Sequence, residues 1–115
     1  MQISEKLKNQ ILDIIFKYLD KDKTTVFLFG SYAEGTAKQY SDIDIGIMSD
    51  KILTFNEVLR IKGDLNENVI TLRDIDFVDF NRDLDEKFKN IALKEVIIWH
   101  QGKESKASLS NTKKP

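Results

Sequence analysis

Two groups of residues in this 115-residue chain could do chemistry together: Gly30-Ser31 and, after ten intervening residues, Asp42-Ile43-Asp44. In the run Asp42-Ile43-Asp44-Ile45-Gly46-Ile47, acids precede β-branched residues in strict alternation. On a strand this puts Asp42 and Asp44 on one face, their Cα atoms roughly 6–7 Å apart. Carboxylate oxygens converging from that separation suit a hard cation such as Mg²⁺, which also takes phosphate oxygens and water. Without a cation the two like charges repel and one pKa rises. Gly30-Ser31 closes the apolar run Val26-Phe27-Leu28-Phe29, as a turn closes a buried strand. A short helix over 32–37 would place Ser31 near its N-terminus, where free N–H groups favour a phosphate, and Gly30, lacking a Cβ, would let that ligand come close. Each half alone is ordinary, since Asp-x-Asp marks the wet face of many strands and Gly-Ser many turns. Their joint occurrence, between two strand-like runs, describes a phosphate turn feeding a metal site.

The flanking sequence supplies elements to hold these residues. Ile3, Leu7, Ile11, Ile14, Ile15 and Tyr18 recur at helical spacing and predict an amphipathic helix over about 4–20. Thr54 and Glu57 form a capping box that opens a second helix, expected to run to about residue 66 on Phe55, Val58, Leu59, Ile61 and Leu65; Gly63 inside it marks a kink or an early end. A strand is expected over 72–80, a helix over 83–92 with Asp83 and Glu86 as its cap pair, and a last strand over 96–99. Helices alternating with strands predict an α/β fold: a small mixed sheet with helices packed on it. Asp76 and Asp79 differ by three and point to opposite faces of a regular strand, so one of them can join the face of Asp42 and Asp44. His100 is the only histidine and has no cysteine or second histidine to ligate with, which favours packing at a strand end.

The length fits one domain, over 1–102, followed by a polar tail without periodicity over 103–115 that is expected to be flexible. With no cysteine there is neither a disulfide framework nor a zinc–thiolate site. The first twenty residues carry Glu5, Asp13 and Asp20 among their apolar positions, which argues against a signal peptide or a membrane span and for a soluble, cytoplasmic protein without a membrane partner. Lys103, Lys106, Lys113 and Lys114 against Glu104 give the tail +3, so the net charge of −1 leaves −4 on residues 1–102. An acidic body argues against nucleic acid as partner.

The string Gly30-Ser31-x-Ala33-x-Gly35, continued at Ser41-Asp42-x-Asp44, resembles the signature of the nucleotidyltransferase superfamily that includes DNA polymerase beta. In this fuller form, and over about residues 10–103, it is similar to the minimal nucleotidyltransferases (MNT). The resemblance implies the nucleotidyltransferase fold and Mg²⁺-dependent transfer of a nucleoside monophosphate, AMP from ATP being expected, to a hydroxyl acceptor. It implies catalytic and metal-binding roles for Asp42 and Asp44, and nucleotide binding at Gly30 and Ser31. A third carboxylate is implied in a segment similar to Ile75-Asp76-Phe77-Val78-Asp79-Phe80; Asp76 is the expected residue and Asp79 the alternative. It further implies a partner, a HEPN-domain toxin whose tyrosine is the acceptor, so that the chain would act as an antitoxin. The alternative is a non-catalytic nucleotide- or partner-binding module that neutralises its partner by contact. Self-association into a homo-oligomer is left open.

Overall fold

The computed structural model describes residues 2–105. Its elements in chain order are α1 (Glu5–Tyr18), β1 (Thr25–Phe29), α2 (Ser31–Glu34), β2 (Ile43–Met48), α3 (Phe55–Asn68), β3 (Ile75–Asp79), α4 (Glu86–Ala92) and β4 (Ile97–His100). The strands form one sheet in the order β3-β2-β1-β4. β1 is antiparallel to both β2 and β4, while β2 and β3, joined through α3, are parallel. The sheet is therefore mixed, with helices packed on it, as the alternation of elements predicts.

Each face has its own core. On one, Leu7, Ile11, Ile14 and Ile15 of α1 and Ile61 and Leu65 of α3 pack against Val26, Leu28, Ile43, Ile45, Ile47, Ile75 and Phe77. On the other, Phe27, Phe29 and Phe80 are covered by Ala92 and Val96. Gly46 lies beneath that second cluster; a Cβ there would come within 2.5 Å of the Phe27 ring and 2.7 Å of Phe80, so packing demands glycine. Tyr18 and Lys17 of α1 clasp Asp64 of α3 at 2.7 and 2.9 Å, and these contacts with Asn68 hold the Asp64 carboxyl well below its ordinary range, near 2.

Several element boundaries differ from expectation, each for a local reason. α2 ends at Glu34 rather than 37, because Gly35 turns left-handed at φ +81° and its N–H closes on the Ser31 carbonyl. α3 begins on the expected capping box but runs through Gly63 to Asn68, and its Phe55 and Leu59 face outward instead of joining the core. β3 starts at Ile75, leaving Leu72 exposed. α4 is capped by Asp85, whose carboxylate accepts the Phe88 N–H at 3.2 Å, and not by Asp83 with Glu86. His100 packs edge-on against Phe16 at 4.7 Å and contacts the Lys21 carbonyl at 2.9 Å, the strand-end packing expected of it. The tail read over 103–115 lies outside the described residues from 106 on; before that, the Thr25 hydroxyl accepts the Gly102 N–H and donates to the Ser105 hydroxyl. Among the described residues no helix is long and apolar enough to cross a membrane.

Candidate functional site

β1 delivers the Gly30-Ser31 turn. Its last residue, Phe29, pairs with Asp44 of β2, so Gly30 emerges directly beside the Asp44 carboxylate. Gly30 has φ +72° and ψ −153°, and a Cβ there would stand 2.1 Å from Asp44 Oδ2. Two conditions thus require glycine: a backbone conformation that side chains resist, and an acid pressed against the position where one would be. Ser31 is the first residue of α2. With one turn, α2 has little macrodipole, and what it offers an anion is the first-turn N–H groups that a helix cannot use internally.

The loop from α2 to β2 is braced from two sides. The Ser41 hydroxyl accepts the Lys38 N–H at 2.8 Å while the Ser41 N–H returns to the Lys38 carbonyl. Arg73 lies over the Tyr32 ring, 5.6 Å from its centroid, and its Nε donates to the Gln39 carbonyl at 3.4 Å. Asp42 lies one residue before β2 and is exposed, so the alternation expected from 42 to 47 is realised as strand only from Ile43.

The parallel pairing of β2 with β3 sets Asp44 opposite Asp76. Side chains in register on adjacent parallel strands share a face, and the strands are about 4.8 Å apart, so these two carboxylates are neighbours. Asp76 is fixed indirectly: Asn66 of α3 accepts the Ile75 N–H at 2.9 Å and donates to the Ile75 carbonyl at 2.8 Å, pinning the start of this edge strand. Lys62, one turn earlier on α3, reaches past the same edge to Asp76 Oδ1 at 3.2 Å. Asp79 is placed elsewhere, on the opposite face. It is 2% exposed, and its two oxygens accept the Leu53 and Asn81 N–H groups at 2.8 and 2.9 Å.

Charge accumulates around Asp44. Burial and then the proximity of Asp76, Asp42 and Glu34 push its pKa up to about 6. Asp44 itself is half-buried beside three more acids, of which Asp76 is paired with Lys62, and an all-oxygen donor set of this kind suits a hard divalent cation. Among the described residues no three carboxylate or imidazole groups are already drawn together closely enough to hold an ion. Asp76, tied to Lys62 and to the Phe77 N–H at 3.1 Å, would have to turn inward to join its neighbours.

A cavity of about 280 Å³ opens over this face, lined by Gly30, Glu34, Asp44 and Asp76 together with Phe29, Phe88, Ile91 and Ala92. A larger depression of about 440 Å³, between α1 and the 70–73 segment, contains none of the acids. We take the smaller cavity as the site, because chemistry needs the charged groups. Sequence reasoning did not single out Lys62, Asn66, Phe88 or Ile91 for this site. Their sequence signal is ordinary helix content, and only the packing of α3 and α4 brings them to the acids.

Comparison with known proteins agrees with the geometry. Residues 4–104 match the family described as "Polymerase beta, Nucleotidyltransferase". The chain is 36% identical over 80 residues to the "Probable protein adenylyltransferase MntA" of Haemophilus influenzae, an alignment covering 70% of this chain and 68% of that protein. Among solved structures, a toxin–antitoxin crystal structure with AMP-PNP superposes with a TM-score of 0.67 at 23% identity, covering 82% of this chain and 73% of that one. A tri-AMPylated Shewanella oneidensis HEPN toxin in complex with MNT antitoxin gives 0.66 at 19% identity, over 86% and 74% of the two chains. At these identities the likeness is one of fold.

Proposed function

The chain belongs to the polymerase beta nucleotidyltransferase family, and from that premise we propose that it transfers AMP from ATP to a hydroxyl on a partner protein. The observation that carries the reading is the pairing of Asp44 with Asp76 on one face, beside Gly30 and Ser31, where burial and then the neighbouring acids raise the Asp44 pKa. Asp42, Asp44 and Asp76 are the residues that would hold Mg²⁺. When bound, the ion supplies the positive charge that offsets the triphosphate and the departing pyrophosphate. Ser31 and the backbone after Gly30 grip the β- and γ-phosphates. Asp76 stands at the acceptor side and takes the hydroxyl proton as the acceptor oxygen bonds to the α-phosphorus and the bond from that phosphorus to pyrophosphate breaks.

The acceptor is a tyrosine of a HEPN-domain toxin, and its modification makes the chain an antitoxin acting in the cytoplasm. Support comes from the adenylyltransferase name of the Haemophilus relative and from the excess of acids over bases in residues 1–102, which disfavours a nucleic-acid acceptor. Incubation with labelled ATP, Mg²⁺ and the candidate HEPN protein tests the reading. Label is expected on the partner's tyrosine with wild type and not with Asp42→Asn. If Asp42→Asn inhibits the partner as well as wild type does and no label moves, the chain is a contact inhibitor and the transfer reading fails.

A further inference from the structure

We propose that Phe88 and Ile91 of α4 form the wall against which the nucleobase of the nucleotide lies, an assignment that rests on the nucleotidyl-transfer reading of the site. Both side chains line the cavity that holds Asp44 and Asp76. Ile91 is 67% exposed and Phe88 39%, while Ala92 of the same helix is the residue turned into the core. Exposed apolar surface is unremarkable when scattered, but this surface lines the same cavity as the carboxylates of Asp44, Asp76 and Glu34.

Phe88 is also held in place before any ligand arrives. Its ring stacks on Phe80 with centroids 5.9 Å apart and planes at 22°, and meets Phe29 edge-on at 6.1 Å. Asp85 accepts the Phe88 N–H and anchors the helix start. A ring fixed in this way loses little conformational freedom when something stacks on it, which is what makes a preorganised aromatic an effective binding surface.

The cavity selects its occupant by its two unlike kinds of lining. At about 280 Å³ it is smaller than the usual range for a complete small-molecule site, and so takes part of one small ligand rather than a folded segment of a protein. Part of the lining is acids suited to a cation with its phosphates; Phe88 and Ile91 add a phenyl ring and a branched alkyl group with no polar atom on either. A nucleotide has the matching pair, a charged phosphate chain and a planar ring with an apolar face. The wall holds that face by stacking and buried area, a mode that tolerates different bases.

The test compares ATP with inorganic tripolyphosphate, each titrated calorimetrically with Mg²⁺ into wild type, Ile91→Ala and Phe88→Leu. The expected result is ATP affinity weakened about fivefold by Phe88→Leu and about threefold by Ile91→Ala, with tripolyphosphate affinity unchanged. Ile91 is exposed enough that its truncation leaves the fold intact, so the outcome does not depend on how Phe88→Leu folds. The proposal is overturned if both ligands weaken together, or if neither does while the Michaelis constant for the protein acceptor rises, which would give the wall to the acceptor instead. Wild type binding neither ligand would overturn the nucleotide reading itself.

Discussion

Asp44 and Asp79 are both carboxylates on neighbouring parallel strands of one sheet, yet their surroundings are opposite. Asp79 is almost wholly buried, and each of its oxygens accepts a backbone N–H, from Leu53 at the approach to α3 and from Asn81 beyond β3. Its negative charge is answered within the chain. Asp44 is less deeply buried, but among the described residues no backbone N–H answers its charge, and burial, followed by the proximity of Asp76, Asp42 and Glu34, raises its pKa to about 6. One acid completes the fold and the other strains it. A carboxylate satisfied by its own backbone has a structural task, whereas one kept among like charges makes physical sense when a cation from outside completes it.

Substitutions can break or sharpen that contrast. The largest effect is expected from Asp44→Asn: nucleotidyl transfer should fall at least about 10³-fold, as loss of a carboxylate proposed to hold the metal implies. The same substitution should leave the metal-free protein more stable at pH 7.5, by about 1 kcal/mol once screening of a half-exposed group is allowed for. The sign follows from the raised pKa. The folded state holds its proton more tightly than the unfolded one, whose value is near 3.8. The stabilisation this gives is complete below that value and is lost as pH rises through about 6. Urea unfolding of metal-free wild type between pH 4 and 7 should show that loss, and Asp44→Asn should lack this component. A destabilised Asn variant would end the contrast.

Asp79→Ala should behave in the opposite way. One buried N–H group, that of Leu53, and one partly buried, that of Asn81, lose their acceptor, costing about 2–4 kcal/mol in urea unfolding, while transfer per folded molecule stays within about twofold of wild type. Smaller changes localise the effect. Thr54 follows Leu53 and caps α3 through reciprocal bonds with Glu57, so Thr54→Ala should cost about 1 kcal/mol and leave ATP affinity unchanged. Gly63→Ala should raise stability by up to about 1 kcal/mol in the same assay. Its new methyl meets nothing within 4 Å, in the interior of a helix that continues for five more residues.

The legible parts of the chain were those where local chemistry and local geometry coincide. The α1 stripe, the Thr54 capping box, the strand leading into Gly30 and the opposite facing of Asp76 and Asp79 follow from periods of 3.6 and 2.0 and from capping chemistry. The α2 end and the α4 cap were less legible. Several adjacent residues could serve there, and the actual choice depends on how Gly35 turns and how Phe88 is drawn into the ring cluster.

The sequence by itself determined that a Gly-Ser turn and an Asp-x-Asp stand on successive segments of an α/β chain. It could not rank Asp76 against Asp79 on residue type, because both are aspartates on one short strand. The tertiary structure separated them. Parallel pairing sets Asp76 against Asp44, while on the other face the Leu53 N–H takes one oxygen of Asp79 and the Asn81 N–H, just beyond β3, takes the other. Packing likewise decided that Phe88 and Ile91 line the cavity that holds the acids, since the direction of an amphipathic helix on a sheet is set by what covers its other side.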